Sequence, residues 1–389
     1  MDENDNILIS SKSRKFKKTF PRIKNKKHLK KIKKKKAYLS PVVLLFVLIL
    51  VFILFLLFFI IYKKLEKTKQ INDKIDLESL HSIFSNSFQY EEFDENINKY
   101  YIKSQNYFCE KQNEVLIPKY EQKIKLANVN FEGKIFDLFV YNSSDVVGEF
   151  ITKYHYWEKY LSIKVLKALD YYAKKKNLEN KDIYLLDIGG NIGWYTYFLG
   201  SYGYKIISFE ASEVNSYILY KNYCLNKDTN VTIINKGLDK EDKKCIIITR
   251  TDNQGNGMIF CENRENFYNN SNGETYNIEL TRLSRYYKFL SDKNLAFIKM
   301  DVEGDEANVI EGGQELISKY HVPFIMMEFE EKMLNIHKTK GLEFLQFFEK
   351  NGYKISKEDF LSKQYISSEE IMQKKDKYNL FIVYEKILE

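Results

Sequence analysis

The sequence predicts an α/β fold, a largely parallel sheet with helices on both faces, preceded by a single transmembrane helix. Three observations predict it. Short apolar runs alternate with helical patterns from Phe131 onward, the signature of strands connected by crossover helices. A glycine loop, Asp187-Ile188-Gly189-Gly190-Asn191-Ile192-Gly193, joins one apolar run to a helical pattern. Near the amino terminus, Val42 to Ile61 are twenty consecutive apolar residues.

The first element is a basic tail. Residues 12 to 36 hold fifteen Lys or Arg and no acid. The net charge of +8 falls to −4 once those fifteen and the three acids ahead of them (Asp2, Glu3 and Asp5) are set aside. The remainder is mildly acidic, so charge does not suggest a nucleic-acid partner. The apolar run that follows is long enough to span a bilayer core of roughly 30 Å at about 1.5 Å per residue. It exceeds the roughly 7 to 15 apolar residues of a signal peptide, and no small-residue cleavage site follows it. Residues 1–37 therefore read as a cytosolic tail and residues 38–62 as a membrane anchor. Just downstream stand five, Lys63, Lys64, Lys67, Lys69 and Lys74. Positive charge stays in the cytosol, which puts the amino terminus there and the rest in an ER or Golgi lumen. The run Lys24 to Lys36 is also suited to anionic lipid.

All four cysteines (Cys109, Cys224, Cys245 and Cys261) lie beyond the anchor. A lumen would allow them to form disulfides, and no CxxC or His/Cys spacing suggests zinc. Asn142-Ser143-Ser144, Asn230-Val231-Thr232 and Asn269-Asn270-Ser271 fit the glycosylation pattern, a weak sign in an Asn-rich chain.

Residues 63–129 carry many charges with Leu77, Leu80, Ile83 and Phe84 at helical spacing, and read as a stem with accessory helices. Residues 130–389 read as the catalytic domain. Ile135–Tyr141 predicts a strand and Trp157–Ala173 a helix. Ile183–Asp187 is a buried strand that leads through the glycine loop into a helix near Trp194. Ile206–Phe209 and Val231–Asn235 are strands on either side of a helix, Val214–Leu225. Ala296–Met300 is a strand followed by a helix through Val309 and Leu316. Pro323–Phe329 is a strand, Leu342–Phe348 a helix and Leu380–Tyr384 a last strand. Gly352-Tyr353-Lys354-Ile355 can pair with that last strand as an antiparallel edge.

In an open parallel sheet, ligands sit beyond the carboxyl ends of the strands, where the chain turns into a helix. Glycines there remove side chains and let backbone N–H groups approach a ligand. Asp187 can accept a hydrogen bond from a cationic amine or from loop amides. A dinucleotide loop wants glycine where Asn191 stands, which disfavours NAD and FAD. Glu210 lies twenty-one residues beyond Gly189, the place of an acid that binds ribose hydroxyls. Lys299-Met300-Asp301-Val302-Glu303-Gly304-Asp305-Glu306 closes a later strand with four acids in six residues. Asp301 can take a proton, bind a divalent cation or hold an ammonium group. Lys299 can pair with an acid or orient an anionic substrate. Glu303 and Glu306 equally suit a solvated helix start.

The glycine loop, Phe209-Glu210, Asn226, the run Lys299–Glu306, Val309-Ile310-Glu311-Gly312 and Met327-Glu328-Phe329 resemble, in order and spacing, the FkbM family of S-adenosylmethionine-dependent methyltransferases. Trp157-Glu158, Gly352-Tyr353 and Asn379-Leu380-Phe381 are similar too. The resemblance covers roughly residues 130 to 388. It implies a Rossmann-like, seven-stranded methyltransferase sheet and O-methylation of sugar or other hydroxyls. By position it implies that Asp187, Gly189, Gly190, Asn191, Gly193 and Glu210 bind the cofactor. Asp301 and Glu303 would then border the acceptor, and Lys299 joins them as a catalytic candidate. One departure is that Leu283 is followed by Ser284 where the family often has Thr-Leu-Asp.

Methyl transfer from a sulfonium is an in-line displacement, so alignment supplies much of its acceleration. A hydroxyl acceptor must also lose its proton, to a carboxylate or with the help of a metal ion. His321 and His337 are alternative bases. The reading is thus a membrane-anchored O-methyltransferase acting on a glycan, lipid-linked or small-molecule hydroxyl. Its rivals are a luminal glycosyltransferase, with Asp301-Val302-Glu303 holding a metal under a sugar nucleotide, and an inactive anchored protein that keeps the fold.

Overall fold

The computed structural model describes residue 63 and residues 92–111, 118–250, 252–261, 273–336, 339–374 and 377–389. The chain divides into two units, Met1–Lys67 and Thr68–Glu389. Of the first, only Lys63 is described, so the predicted tail and anchor lie outside the described residues. Among the described residues, no helix is long and apolar enough to cross a membrane.

The second unit opens with helix α1 (Glu95–Lys111) and a hairpin, β1 (Ile124–Phe131) and β2 (Lys134–Tyr141). Helices α2 (Val146–Tyr154) and α3 (Lys159–Lys176) follow. Then come β3 (Ile183–Ile188), α4 (Trp194–Gly200), β4 (Lys205–Phe209), α5 (Glu213–Leu225) and β5 (Asn230–Ile234). A second sheet comprises β6 (Gly237–Leu238), β7 (Lys243–Thr249), β8 (Gly257–Phe260) and β9 (Thr275–Thr281). The chain returns through β10 (Asn294–Met300), α6 (Glu306–Glu311), β11 (Phe324–Phe329), α7 (Gly341–Lys350), β12 (Tyr353–Ser356) and β13 (Tyr378–Tyr384).

The central sheet has seven strands in the order β12-β13-β11-β10-β3-β4-β5. Strands β11, β10, β3, β4 and β5 run parallel, while β13 pairs antiparallel with both β11 and β12. Both faces are buried, because side chains alternate across each strand. On β3, Ile183 and Leu185 join the core formed with α3, α4 and α5; Leu186 and Ile188 join the opposite core with α6 and α7. Trp194 and Phe198 stack at 5.3 Å, and Phe131 packs on both. That cluster fixes the hairpin behind the glycine loop.

Several features were not foreseen. Strand β1 pairs with β2 across residue 130, and α1 packs on the outer edge of the sheet. The Gln105 amide donates to Val231 O at 2.9 Å and accepts from Ile233 N at 2.7 Å. This side chain satisfies backbone groups that an edge strand leaves open. Cys109 bonds to Cys224, which fastens α1 to α5, and Cys245 bonds to Cys261. The second sheet escaped notice because β6 is only two residues long and β7 lacks a clean alternation. The helix expected through Val309 and Leu316 is interrupted: α6 ends at Glu311, and a π-type turn covers Leu316–Tyr320. Gly312 and Gly313 cause the break. A β-carbon at Gly312 would meet Asp239 O at 2.2 Å, and one at Gly313 would meet Leu283 at 2.6 Å.

Candidate active site

The strand order places β4 and β5 on one side of β3 and β10 and β11 on the other. The crevice between β3 and β10 is therefore the switch point where open α/β sheets bind ligands. A cavity of about 260 Å³ lies there. Gly189, Gly190, Asn191 and Glu210 line it, as do Lys299, Asp301, Glu303, Glu328 and Glu158.

The glycines work differently from the sequence expectation. Gly189 N and Gly190 N both donate to Phe209 O, at 3.0 and 2.9 Å, and Gly193 N donates to Gly190 O at 2.9 Å. These amides tie the loop to β4 and to itself, so they are not left free for an anion. The residues must be glycine for lack of room: a β-carbon at Gly189 would lie 1.9 Å from Asp301 O, and one at Gly190 would lie 2.3 Å from Ser208 Oγ. Gly193 lies outside the cavity wall, and its missing β-carbon makes room for Tyr197 and Leu219.

Asp187 also stands one layer below the cavity. Its Oδ2 accepts from Thr196 Oγ1 at 2.5 Å, while Oδ1 is buried without a hydrogen-bond partner among the described residues and lies 3.9 Å from Lys299 Nζ. Burial raises its carboxyl above the usual range, with Lys299 and Thr196 opposing the shift. Lys299 donates to Gly189 O at 2.8 Å and lies 3.5 Å from Asp301. Burial alone would lower the Lys299 ammonium. The surrounding carboxylates of Asp301, Asp187, Glu158 and Glu210 reverse that and raise it, so Lys299 stays charged.

Glu210 closes the β4 side. Its Oε2 accepts from Asn191 N at 2.7 Å and its Oε1 from Ser212 N at 2.8 Å. Burial raises its carboxyl, and these two amides pull it back. Nearby, Phe209, Ala211, Leu238, Ile247 and Ile259 give the cavity an apolar wall.

The β10 and β11 side is acidic. Asp301, Glu303 and Glu328 each offer a carboxylate oxygen, and these atoms lie within 4.8 Å of one another. Glu303 has a left-handed backbone, φ 56°, and accepts from Asn256 Nδ2 at 2.7 Å. Burial, then Asp301 and Glu328, push its carboxyl up to about 7. Glu328 lies 2.7 Å from Lys377 Nζ, and its carboxyl is raised by burial first and by Asp301 next. Glu158, at the start of α3, accepts from Tyr195 Oη at 2.8 Å and is pushed up to about 6, chiefly by burial.

Glu158, Glu328, Lys377 and the wall formed by Asn253, Gly255 and Asn256 were not singled out from the residues alone. Trp157-Glu158 and Met327-Glu328 were visible only as pieces of the family pattern. The wall is held from afar: Gly255 N donates to Asp145 Oδ1 at 3.0 Å, and Asn215 Nδ2 donates to Gly255 O at 3.0 Å. Nothing local in the sequence announces those pairings. Of the two candidate histidines, His321 is not part of the site. His321 stacks on Tyr384 at 4.4 Å, away from the cavity, and His337 lies outside the described residues.

The donor set fits S-adenosylmethionine. A carboxylate stands at the tip of β4, an apolar wall suits an aromatic base, and acids surround the far end, where a sulfonium and an ammonium need negative charge. Asn191 Oδ1, a buried acceptor on the cavity wall, has no hydrogen-bond partner among the described residues.

Residues 187–355 match the family model described as the methyltransferase FkbM domain. No curated protein sequence matches the chain. Among solved structures, the chain is similar to precorrin-6y C5,15-methyltransferase from Geobacter metallireducens, at 11% identity and a TM-score of 0.30, over 59% of this chain and 95% of that one. It is also similar to TYW2 of M. jannaschii in complex with AdoMet, at 14% identity and a TM-score of 0.29, over 67% and 84%. The methyltransferase domain of METTL16 matches at 11% identity and a TM-score of 0.33, over 74% and 95%.

Proposed function

We propose, from the premise that residues 187–355 match the methyltransferase FkbM domain, that the protein is an S-adenosylmethionine-dependent O-methyltransferase. Its acceptor would be a hydroxyl of a glycan, a lipid-linked molecule or a small molecule. One observation carries the proposal: the cavity at the β3/β10 switch point has Glu210 on one side and the acids Asp301, Glu303 and Glu328 on the other. Neighbouring strands lie about 4.8 Å apart, so the three strand steps from β4 to β11 cover roughly 14 Å, enough for an elongated ligand laid across the strand tips.

When bound, S-adenosylmethionine supplies a methyl group made electrophilic by its sulfonium. The chain supplies binding and proton chemistry. Glu210 retains lone pairs for ribose hydroxyls, since each of its oxygens accepts one backbone N–H. Asn191 Oδ1 offers a further acceptor. Asp301 and Glu303 border the hydroxyl acceptor, and Lys299 holds the loop between them and Glu210. The family match favours methyl transfer over the glycosyltransferase reading.

A divalent cation at Asp301, Glu303 and Glu328 is a second way to ionise the acceptor. Asn256 and Lys377 already engage two of those carboxylates, which favours a metal-free site. Calorimetry with Mg²⁺ and Mn²⁺ tests this: saturable binding lost on Asp301→Asn would favour the metal.

We further propose that Val42 to Ile61 anchor the protein and that the catalytic unit lies in an ER or Golgi lumen. Two disulfides support that placement, because such bonds persist in oxidising compartments. The exposed sequon residues Asn142 and Asn230 agree with it. Protease treatment of sealed vesicles tests it: digestion of residues 130–389 without detergent would rule out the lumen. The test of the cofactor is calorimetric titration of the detergent-solubilised full chain with S-adenosylhomocysteine. Saturable binding that Glu210→Ala abolishes is expected; a folded protein that binds nothing would overturn the reading.

A further inference from the structure

Four acids besides Glu210 line the cavity, and two of them pair with a lysine ammonium. Asp301 lies 3.5 Å from the Lys299 ammonium and its side chain is 41% exposed. Glu303 accepts from the Asn256 amide, and Glu328 lies 2.7 Å from the Lys377 ammonium. Glu158 differs. Its carboxylate has one hydrogen-bond partner among the described residues, the neutral phenol of Tyr195 on Oε2. The Tyr195 hydroxyl is buried and held far above the usual phenol range, first by burial and then by Glu158, so it remains a donor. Glu158 also sits at φ 42°, a left-handed backbone that costs a residue with a β-carbon energy and often marks a functional constraint. That backbone starts α3 and lets the side chain line the cavity.

We propose that Glu158 is the general base of methyl transfer, with Tyr195 as the residue that positions its carboxylate. This rests on the cofactor reading above and adds the proton acceptor. The acceptor oxygen gives its proton to Glu158 as it forms a bond to the methyl carbon. The S–C bond breaks, and its electron pair stays on sulfur as a neutral thioether. The carboxylic acid then releases the proton to water. Besides Tyr195, the charged groups that face Glu158 are Asp301, Lys299 and Glu328. The balance of burial against the Tyr195 hydrogen bond, which pushes it up to about 6, sets it close to working pH, where a general base is most effective.

The test needs no acceptor. A base beside the reacting methyl must sense the positive sulfonium of S-adenosylmethionine, which S-adenosylhomocysteine lacks. Both compounds are titrated calorimetrically into the detergent-solubilised full chain, its Glu158→Gln variant and its Tyr195→Phe variant, from about pH 5 to about pH 8. Wild type should gain roughly tenfold in preference for the sulfonium as Glu158 ionises. Glu303 titrates in the same range, so the difference between wild type and Glu158→Gln isolates Glu158. That variant should lose most of the gain. Tyr195→Phe should keep the gain but move its midpoint to higher pH, because the lost hydrogen bond had favoured the charged carboxylate. A gain equal to wild type in Glu158→Gln overturns the assignment. Where that variant does not fold, an unmoved midpoint in Tyr195→Phe does so. A wild-type chain that binds neither compound overturns the cofactor reading, and this assignment with it.

Discussion

The Lys299 ammonium donates to the carbonyl oxygen of Gly189 at 2.8 Å, and so fastens the tip of β10 to the loop after β3 where the strand order reverses. Asp187, 3.9 Å away, has no other cation near its unpaired oxygen among the described residues. Lys299 thus holds the site together more than it touches a substrate. Lys299→Met should cost about 3–5 kcal/mol, the effect of removing one partner of a buried charge pair. The double variant Lys299→Met, Asp187→Asn should recover part of that loss. Urea unfolding of the four proteins in the cycle measures the coupling; additive losses would mean the two residues act independently.

Gly189 meets two constraints at once, a φ of +77° and a carbonyl 1.9 Å from where a β-carbon would stand. The obstacle is the Asp301 backbone, which has no flexible end to swing aside. Gly189→Ala should therefore abolish S-adenosylhomocysteine binding or prevent folding. Gly203 has a comparable φ, +90°, with only the Asn180 β-carbon within reach, at 4.0 Å. Gly203→Ala should cost only the backbone penalty of about 1–2 kcal/mol. Circular dichroism melts and calorimetry compare the two, and equal losses would show that backbone angle alone decides.

The seven central strands were legible because each is a short apolar run buried on both faces. The glycine loop and Glu210 were legible for the same reason, since they stand where those runs end. The direction of the loop amides was not legible. That Gly189 and Gly190 both donate to Phe209 O depends on how β3 and β4 pair, which spacing does not specify. Gln105 was equally hidden, because a polar residue in a charged segment gives no sign that it will bond the edge of a sheet 126 residues away. Glu158 and Glu328 read as ordinary acids until α3 and β11 bring them to the strand tips.

The Cys109–Cys224 bond closes a separation of 115 residues, against 16 for Cys245–Cys261. Loop-closure entropy then predicts about 4–5 kcal/mol for the first and roughly 3 kcal/mol for the second. Replacing both Cys109 and Cys224 by Ser should thus lower stability more than replacing the other pair. It should also expose β5 to hydrogen exchange, since α1 seals that edge. Denaturant midpoints with exchange at Val231 and Ile233 check this. Unchanged protection there would mean that Gln105 and apolar packing hold α1 without the bond.

Glu306 supplies a pH dependence. It is 3% exposed, and its Oε1 accepts from Val302 N at 3.2 Å and Gly304 N at 3.3 Å. Burial pushes its carboxyl from 4.5 to about 8, against the pull of those amides. The folded value lies above the unfolded one, so the stabilisation is full below about pH 4.5 and is lost as pH rises through about 8. At about 1.4 kcal/mol per pH unit, the loss across that window is on the order of 5 kcal/mol. Glu306→Gln keeps an oxygen for the two amides but cannot ionise. It should match wild type near the acid end and exceed it by on the order of 5 kcal/mol at the alkaline end. Glu303 and Glu158 titrate in both proteins and cancel in the comparison. Urea unfolding of the pair at successive pH values reads the difference directly, and parallel curves would mean that Glu306 ionises in the folded protein as readily as in the unfolded chain.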